Sequence, residues 1–173
     1  MSNLLGLEEA KEHTGDVWPH EVDPELAAHV RGGANWFYWI AGLSLVNSLV
    51  FLFGSPVAFV AGLGFTQIVD AVVNLSIQNG APSALRWVVI VFDLILLIMF
   101  ALFGYYANKR FAAAFIIGIL IYVIDTLLLL FIGALLPVGF HAFALFFIIR
   151  GFLACRKLNA YVTAKTIPSP QSR

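Results

Sequence analysis

The run FAAAFIIGILIYVIDTLLLLFIGALL, residues 111–136, decides the fold. At 1.5 Å of rise per residue it makes a helix of about 39 Å, long enough to cross the roughly 30 Å hydrocarbon core of a bilayer. Its only acid or base is Asp125. A lone charge at that depth costs at least about 2.5 kcal/mol on insertion scales, so this carboxyl requires a proton, a cationic partner or a water-filled cavity.

The same pattern extends outward along the chain. A second apolar run, from about residue 84 to 107, carries Asp93, and a third segment, 57–79, carries Asp70. Hydrophobic residues make up 61% of the 173 residues and charged ones only 12%, with a mean hydropathy of +0.90. That is more apolar surface than one water-soluble core of this size can hide. The reading is an all-α, polytopic helical membrane protein, and the lipid bilayer is its first partner.

Charge is split along the chain. Residues 1–33 hold seven acids against Lys11 and Arg31, whereas the remainder holds eight basic residues against Asp70, Asp93 and Asp125 alone. Nothing forms a basic patch on the scale that nucleic acid requires. The organisation expected is an acidic soluble tail over 1–33, a helical transmembrane bundle over 34–156, and a basic polar tail over 157–173. Within the first part, Asp23-Pro24-Glu25 reads as a helix start, and Gly32-Gly33 as its end before the membrane. His13, His20 and His29 lie among the acids without a metal-ligand spacing. The single cysteine, Cys155, excludes an internal disulfide; it reads as a small apolar residue, with reversible acylation as the alternative at such a position.

Trp36, Tyr38 and Trp39 open the first spanning segment as an interfacial aromatic cluster, and Asn47 is its strongly polar interior residue. Ser55-Pro56 reads as the start of the next helix. Segment 57–79 is ambiguous, because Thr66, Gln67, Asp70 and Asn74 put a polar stripe on one helical face. Such a face tolerates water or protein, not lipid. The preferred topology has four transmembrane helices plus one amphipathic or re-entrant helix; five spanning helices is the alternative. The match of Ile68-Val69-Asp70-Ala71 with Val123-Ile124-Asp125-Thr126, read as an internal duplication, favours the latter. Pro137 and Gly139 break the chain before a last helix from about residue 138 to 156. Lys109, Arg110, Arg156, Lys157 and Lys165 put the C-terminus in the cytoplasm by the positive-inside rule, and the composition suits the cytoplasmic membrane of a bacterium.

In the four-span topology, counting about 1.5 Å per residue from the outer helix ends places Asn47, Asp93 and Asp125 about 9–12 Å deep and His141 about 5 Å deep. Asp70 and Gln67 lie on the same outer side. These six residues form the candidate site for a cation, a proton or a small polar ligand. Paired carboxylates suit hard-cation coordination or proton exchange, and His141 suits metal ligation or proton relay. The competing reading is that the same side chains hydrogen-bond across helices and fix their packing. Arg150 is placed to snorkel to headgroups or to pair within the bundle. No cofactor is named by the sequence, and no HExxH, GxSxG or phosphate loop points to an enzyme. The segments FDLI and VIDT lack the glycine-containing motifs of intramembrane aspartyl proteases. A bundle this small implies a homo-oligomer or a larger membrane complex, which leaves a non-catalytic accessory or assembly subunit as the other functional reading.

Overall fold

A computed structural model describes residues 23–52 and 62–166, and the described chain is all helical. The elements are α1 (Pro24–Leu52), α2 (Gly64–Gln78), α3 (Leu85–Asn108), α4 (Ala112–Phe131) and α5 (Leu135–Thr166). Three of them, α3, α4 and α5, are long and apolar enough to cross a membrane. The expected Ser55-Pro56 helix start, His13, His20 and the end of the C-terminal tail lie outside the described residues.

The outer surface differs from that of a water-soluble bundle. The large aliphatic side chains of α3 and α4 point outward, with Ile95 58% and Ile124 66% exposed, whereas Asp93, Asp125 and His141 are buried. In water this arrangement would expose a large apolar surface; in hydrocarbon it is the sensible one, since lipid accepts Ile and Leu and rejects an unpaired carboxyl.

The helix α1 is the centre of the packing. Val30, Ala34, Phe37, Ile40, Ala41, Ser44 and Asn47 recur at three- and four-residue spacing and are all buried, giving one continuous seam. Along that seam α1 packs most extensively on α3 and α5. Asn108 at the end of α3 donates to Asn35 early in α1 at 3.4 Å, while Ser48 late in α1 donates to Asp93 early in α3 at 2.7 Å, so the two helices run antiparallel. The helix α5 also runs antiparallel to α1, with Trp36 stacked on Phe147 at 5.4 Å and edge-on to Phe143 and Phe140.

Three sequence-based boundaries move. Gly32-Gly33 do not end the first helix, which continues unbroken from Pro24 to Leu52, so the expected division at residue 33 falls inside α1. The reason is tertiary: a Cβ on Gly33 would lie 2.6 Å from the Gly151 Cα, and only glycine lets the α1 and α5 backbones touch there. Pro137 and Gly139 do not delay the last helix either. They lie in the first turns of α5, and Pro137 sits where a missing N–H costs nothing. At its far end α5 runs beyond Arg156 to Thr166, with Cys155 and Leu158 still fully buried.

Tight turns close the hairpins. Gly80, Arg110 and Gly133 take positive φ after α2, α3 and α4. Each is followed by an N–H bonded five residues back, as Phe111 to Tyr106 O at 3.1 Å and Ala134 to Leu129 O at 3.0 Å, which is the Schellman termination. Arg110 is not a glycine, and its left-handed turn is held from outside: Asn159 Nδ2 donates to its carbonyl at 3.0 Å, and the Cys155 thiol at 3.3 Å.

Candidate polar site within the bundle

The polar residues converge on the first turn of α2. Its helix supplies no side-chain cap of its own, and the first N–H groups of any helix need acceptors. Here the acceptors come from the neighbouring helices. Leu63 N–H donates to Ser44 Oγ of α1 at 3.0 Å, Gly64 N–H to Asp125 Oδ2 of α4 at 2.8 Å, and Phe65 N–H to Asp125 Oδ1 at 2.7 Å. Asp125 thus caps a helix that starts 61 residues earlier in the chain, with its carboxyl oxygens at the positive end of the α2 dipole.

His141 completes this group from α5. Its Nε2 lies 2.9 Å from Asp125 Oδ2 and its Nδ1 lies 2.8 Å from the Pro137 carbonyl oxygen. A carbonyl can only accept, so Nδ1 carries a proton and donates it. The short Nε2–Oδ2 contact then holds one further proton. Whether that proton rides on the imidazole or on the carboxyl, the pair sums to zero charge. This is how an acid and a histidine, both buried, are lodged deep in an apolar bundle without a net charge. The Tyr122 ring stacks on the imidazole with centroids 4.4 Å apart and planes 15° from parallel; its hydroxyl is buried with no hydrogen-bond partner among the described residues.

A second carboxyl, that of Asp93, lies at the contact of α1 and α3. Ser48 Oγ donates to Asp93 Oδ2 at 2.7 Å, with the Ser44 carbonyl as its other acceptor at 3.1 Å. The second oxygen of Asp93, Oδ1, is buried without a partner among the described residues, and so is Oδ1 of Asp70 on α2. Burial first, and then the like charge of Asp93, push the Asp70 carboxyl up to about 7. A cavity of about 80 Å³ opens against Asp93 and Ser48 between α1 and α3. A larger one of about 240 Å³, walled by Leu63, Phe65, Leu96, Phe100 and Ile121, reaches Asp125 from the α3–α4 side.

The candidate residues therefore divide. Asp125 and His141 are bonded to each other, Asp93 is bonded to Ser48, Asp70 is buried on α2, and Asn47 lies buried beside Gly62, where a Cβ would meet its Nδ2 at 2.7 Å. Gln67 is half-buried on α2, and Arg150 lies on the exposed face of α5. The polar stripe of α2 points inward, with Thr66 and Asp70 buried, while Phe65, Val72 and Leu75 face out. Its hydrophobic face is on the outside of the molecule, as a lipid-facing element requires. Among the described residues no three His, Cys, Asp or Glu side chains converge as a metal ion would need.

Sequence reading missed Ser44, Ser48 and Tyr122. The two serines flank Asn47 at spacings of three and one, Ser44 buried and Ser48 half-buried, and that repeat of small polar residues was the available signal. Tyr122 had no signal, because stacking on His141 is decided by how α4 meets α5. No known protein family, no characterised protein and no solved structure matches this chain.

Proposed function

We propose that this chain is a small integral membrane protein that binds and exchanges a proton, or a small cation, at the Asp70–Asp93 carboxyl pair. Four helices, α1, α3, α4 and α5, cross the bilayer, and α2 folds back against them as an amphipathic cap. What supports four crossings is direction: α1 ends and α3 begins at the same end of the bundle, and α2, at 15 residues or about 22 Å, is too short to cross alone. The N-terminal end of α1 and the C-terminal end of α5 then share one side with Lys109, Arg110, Arg156 and Lys157, which the positive-inside rule assigns to the cytoplasm.

The observation that carries the functional reading is the pair of orphaned oxygens. Asp70 and Asp93 stand on different helices, are both buried, and each keeps a carboxylate oxygen without a hydrogen-bond partner among the described residues. Two like charges cannot both be bare in that interior, so at least one of them holds a proton or a cation. Asp125 differs, since both its oxygens are already used as a helix cap. The test is proton uptake and sodium binding by purified protein in detergent, wild type against Asp70→Asn/Asp93→Asn. Loss of one titrating proton, or of sodium binding, in the double variant supports the site; an unchanged titration and unchanged ion binding in a folded double variant would refute it.

A further inference from the structure

One half of the proposed site stands on α3, which is built into the bundle along its whole length. The other half, Asp70, stands on α2, the shortest of the described helices and the one that packs least extensively on its neighbours. The place of Asp70 therefore depends on how α2 is held. Its first turn is fixed by three consecutive backbone donors reaching Ser44 and Asp125 at 2.7–3.0 Å, and Asp125 is fixed in turn by His141. Gly64 lies so close to α4 that a Cβ would meet the Leu129 side chain at 2.4 Å. Thr66, one turn before Asp70, is 1% exposed and donates to the Leu63 carbonyl at 2.8 Å.

We infer that Asp125 and His141 are positioning residues for the Asp70–Asp93 site: through the first turn of α2 they hold the Asp70 carboxyl inside the bundle and away from water. This rests on the reading of Asp70–Asp93 as the binding pair, but the positioning itself is testable without it. Breaking the cap frees the α2 first turn, lets water reach Thr66 and Asp70, and separates the two acids while leaving both in place. The pair is suited to this because it carries no net charge whichever partner holds the shared proton, so it fixes a polar helix end inside the bundle without adding a third charge beside the site.

The experiment uses full-length protein in lipid nanodiscs, with Cys155→Ala and Thr66→Cys. The parent is expected to resist a permeant maleimide. Asp125→Asn, which cannot accept both N–H bonds, and His141→Ala should each raise the labelling rate at least about tenfold, the mark of a local opening made easier. His141→Gln, which keeps a donor toward Oδ2, should restore protection. The second readout is the infrared C=O band of protonated Asp70, identified by its loss in Asp70→Asn. In Asp125→Asn this band should move to the position of a water-bonded acid and exchange faster with deuterium, which a loss of packing elsewhere would not produce. If Asp125→Asn does not fold, Gly64→Ala pushes the same turn away from Leu129 with every acid intact and should give the same two changes. Protected Thr66→Cys and an unmoved Asp70 band in folded Asp125→Asn and Gly64→Ala protein would overturn the inference. Absence of any Asp70 band in the parent would instead count against the binding pair, and the labelling rates would still decide the positioning.

Discussion

Replacing Gly33 by alanine tests whether α1 and α5 touch backbone to backbone. The added Cβ would lie 2.6 Å from the Gly151 Cα and 2.9 Å from the Phe147 carbonyl oxygen. Carbon atoms rest at about 3.5–4.0 Å, so the helices must part by roughly 1 Å. Nothing nearby can give instead, because the atoms struck are backbone. Parting the helices loosens Ala34 and Ile148, both fully buried, and the stacking of Trp36 on Phe147. Overpacking of this kind costs about 1–3 kcal/mol, and the better helix propensity of alanine returns up to about 1 kcal/mol. A net loss of about 1–2 kcal/mol is expected. Gly32 and Gly42 supply matched controls on the same helix, since a Cβ at either meets nothing within 4 Å; alanine there should gain about 0.5–1 kcal/mol. Reversible unfolding in mixed micelles of mild detergent and dodecyl sulfate, followed by tryptophan fluorescence, measures all three. Gly151→Ala should resemble Gly33→Ala, and the double variant should cost less than the two together, because one parting admits both methyls. A Gly33→Ala protein as stable as Gly32→Ala would show that the close crossing is not there.

Asp125→Leu should lower stability by about 3–5 kcal/mol in the same assay, because it strands two α2 N–H groups and His141 Nε2 in the interior. This reverses what an acid that merely packs would do; a neutral result would mean that α2 is not capped by Asp125. Ser48→Ala should cost about 1–3 kcal/mol by leaving Asp93 Oδ2 unpartnered as well, and Asp93→Asn combined with it should recover part of that loss. Asp70 predicts a pH dependence. Its carboxyl is raised from 3.8 to about 7, so the fold holds this proton more tightly than the unfolded chain does. The resulting stabilisation is complete below about pH 4 and is lost as pH rises through about 7. Melting temperature should therefore fall from about pH 5 to pH 8, and Asp70→Asn should flatten that slope; an identical slope in the variant would remove Asp70 from the account. Arg150→Gln, on the exposed face, should change stability by no more than about 0.5 kcal/mol.

Much of the candidate site could be read from residue type and depth. An acid in an apolar helix is conspicuous, and the rise per residue put Asn47, Asp93, Asp125 and His141 at one end of the bundle. The bonded partners were not legible. Asp125 and Asp93 look alike in sequence, yet one caps a distant helix through Gly64 and Phe65 and the other takes a serine hydroxyl. Backbone N–H groups leave no trace in composition, so a cap supplied by another helix cannot be found by motif. The polar stripe of α2 showed that one face avoids lipid, but not that this face turns toward Asp93 instead of toward water.

Hydrophobic pattern and composition are enough to show that the chain is helical, that α3, α4 and α5 are apolar enough to enter a membrane, and that charges inside them are costly enough to demand an explanation. These follow from local quantities: hydropathy, the length needed to cross hydrocarbon, and the helical period. Only the tertiary structure decided that α1 runs through Gly32-Gly33, that α2 lies with its polar face inward, and that Asp125 and His141 form a neutral pair at the start of α2. Each of those depends on which backbone and side-chain atoms approach within about 3 Å, and such approaches join residues far apart in the chain, where neither propensity nor periodicity reaches.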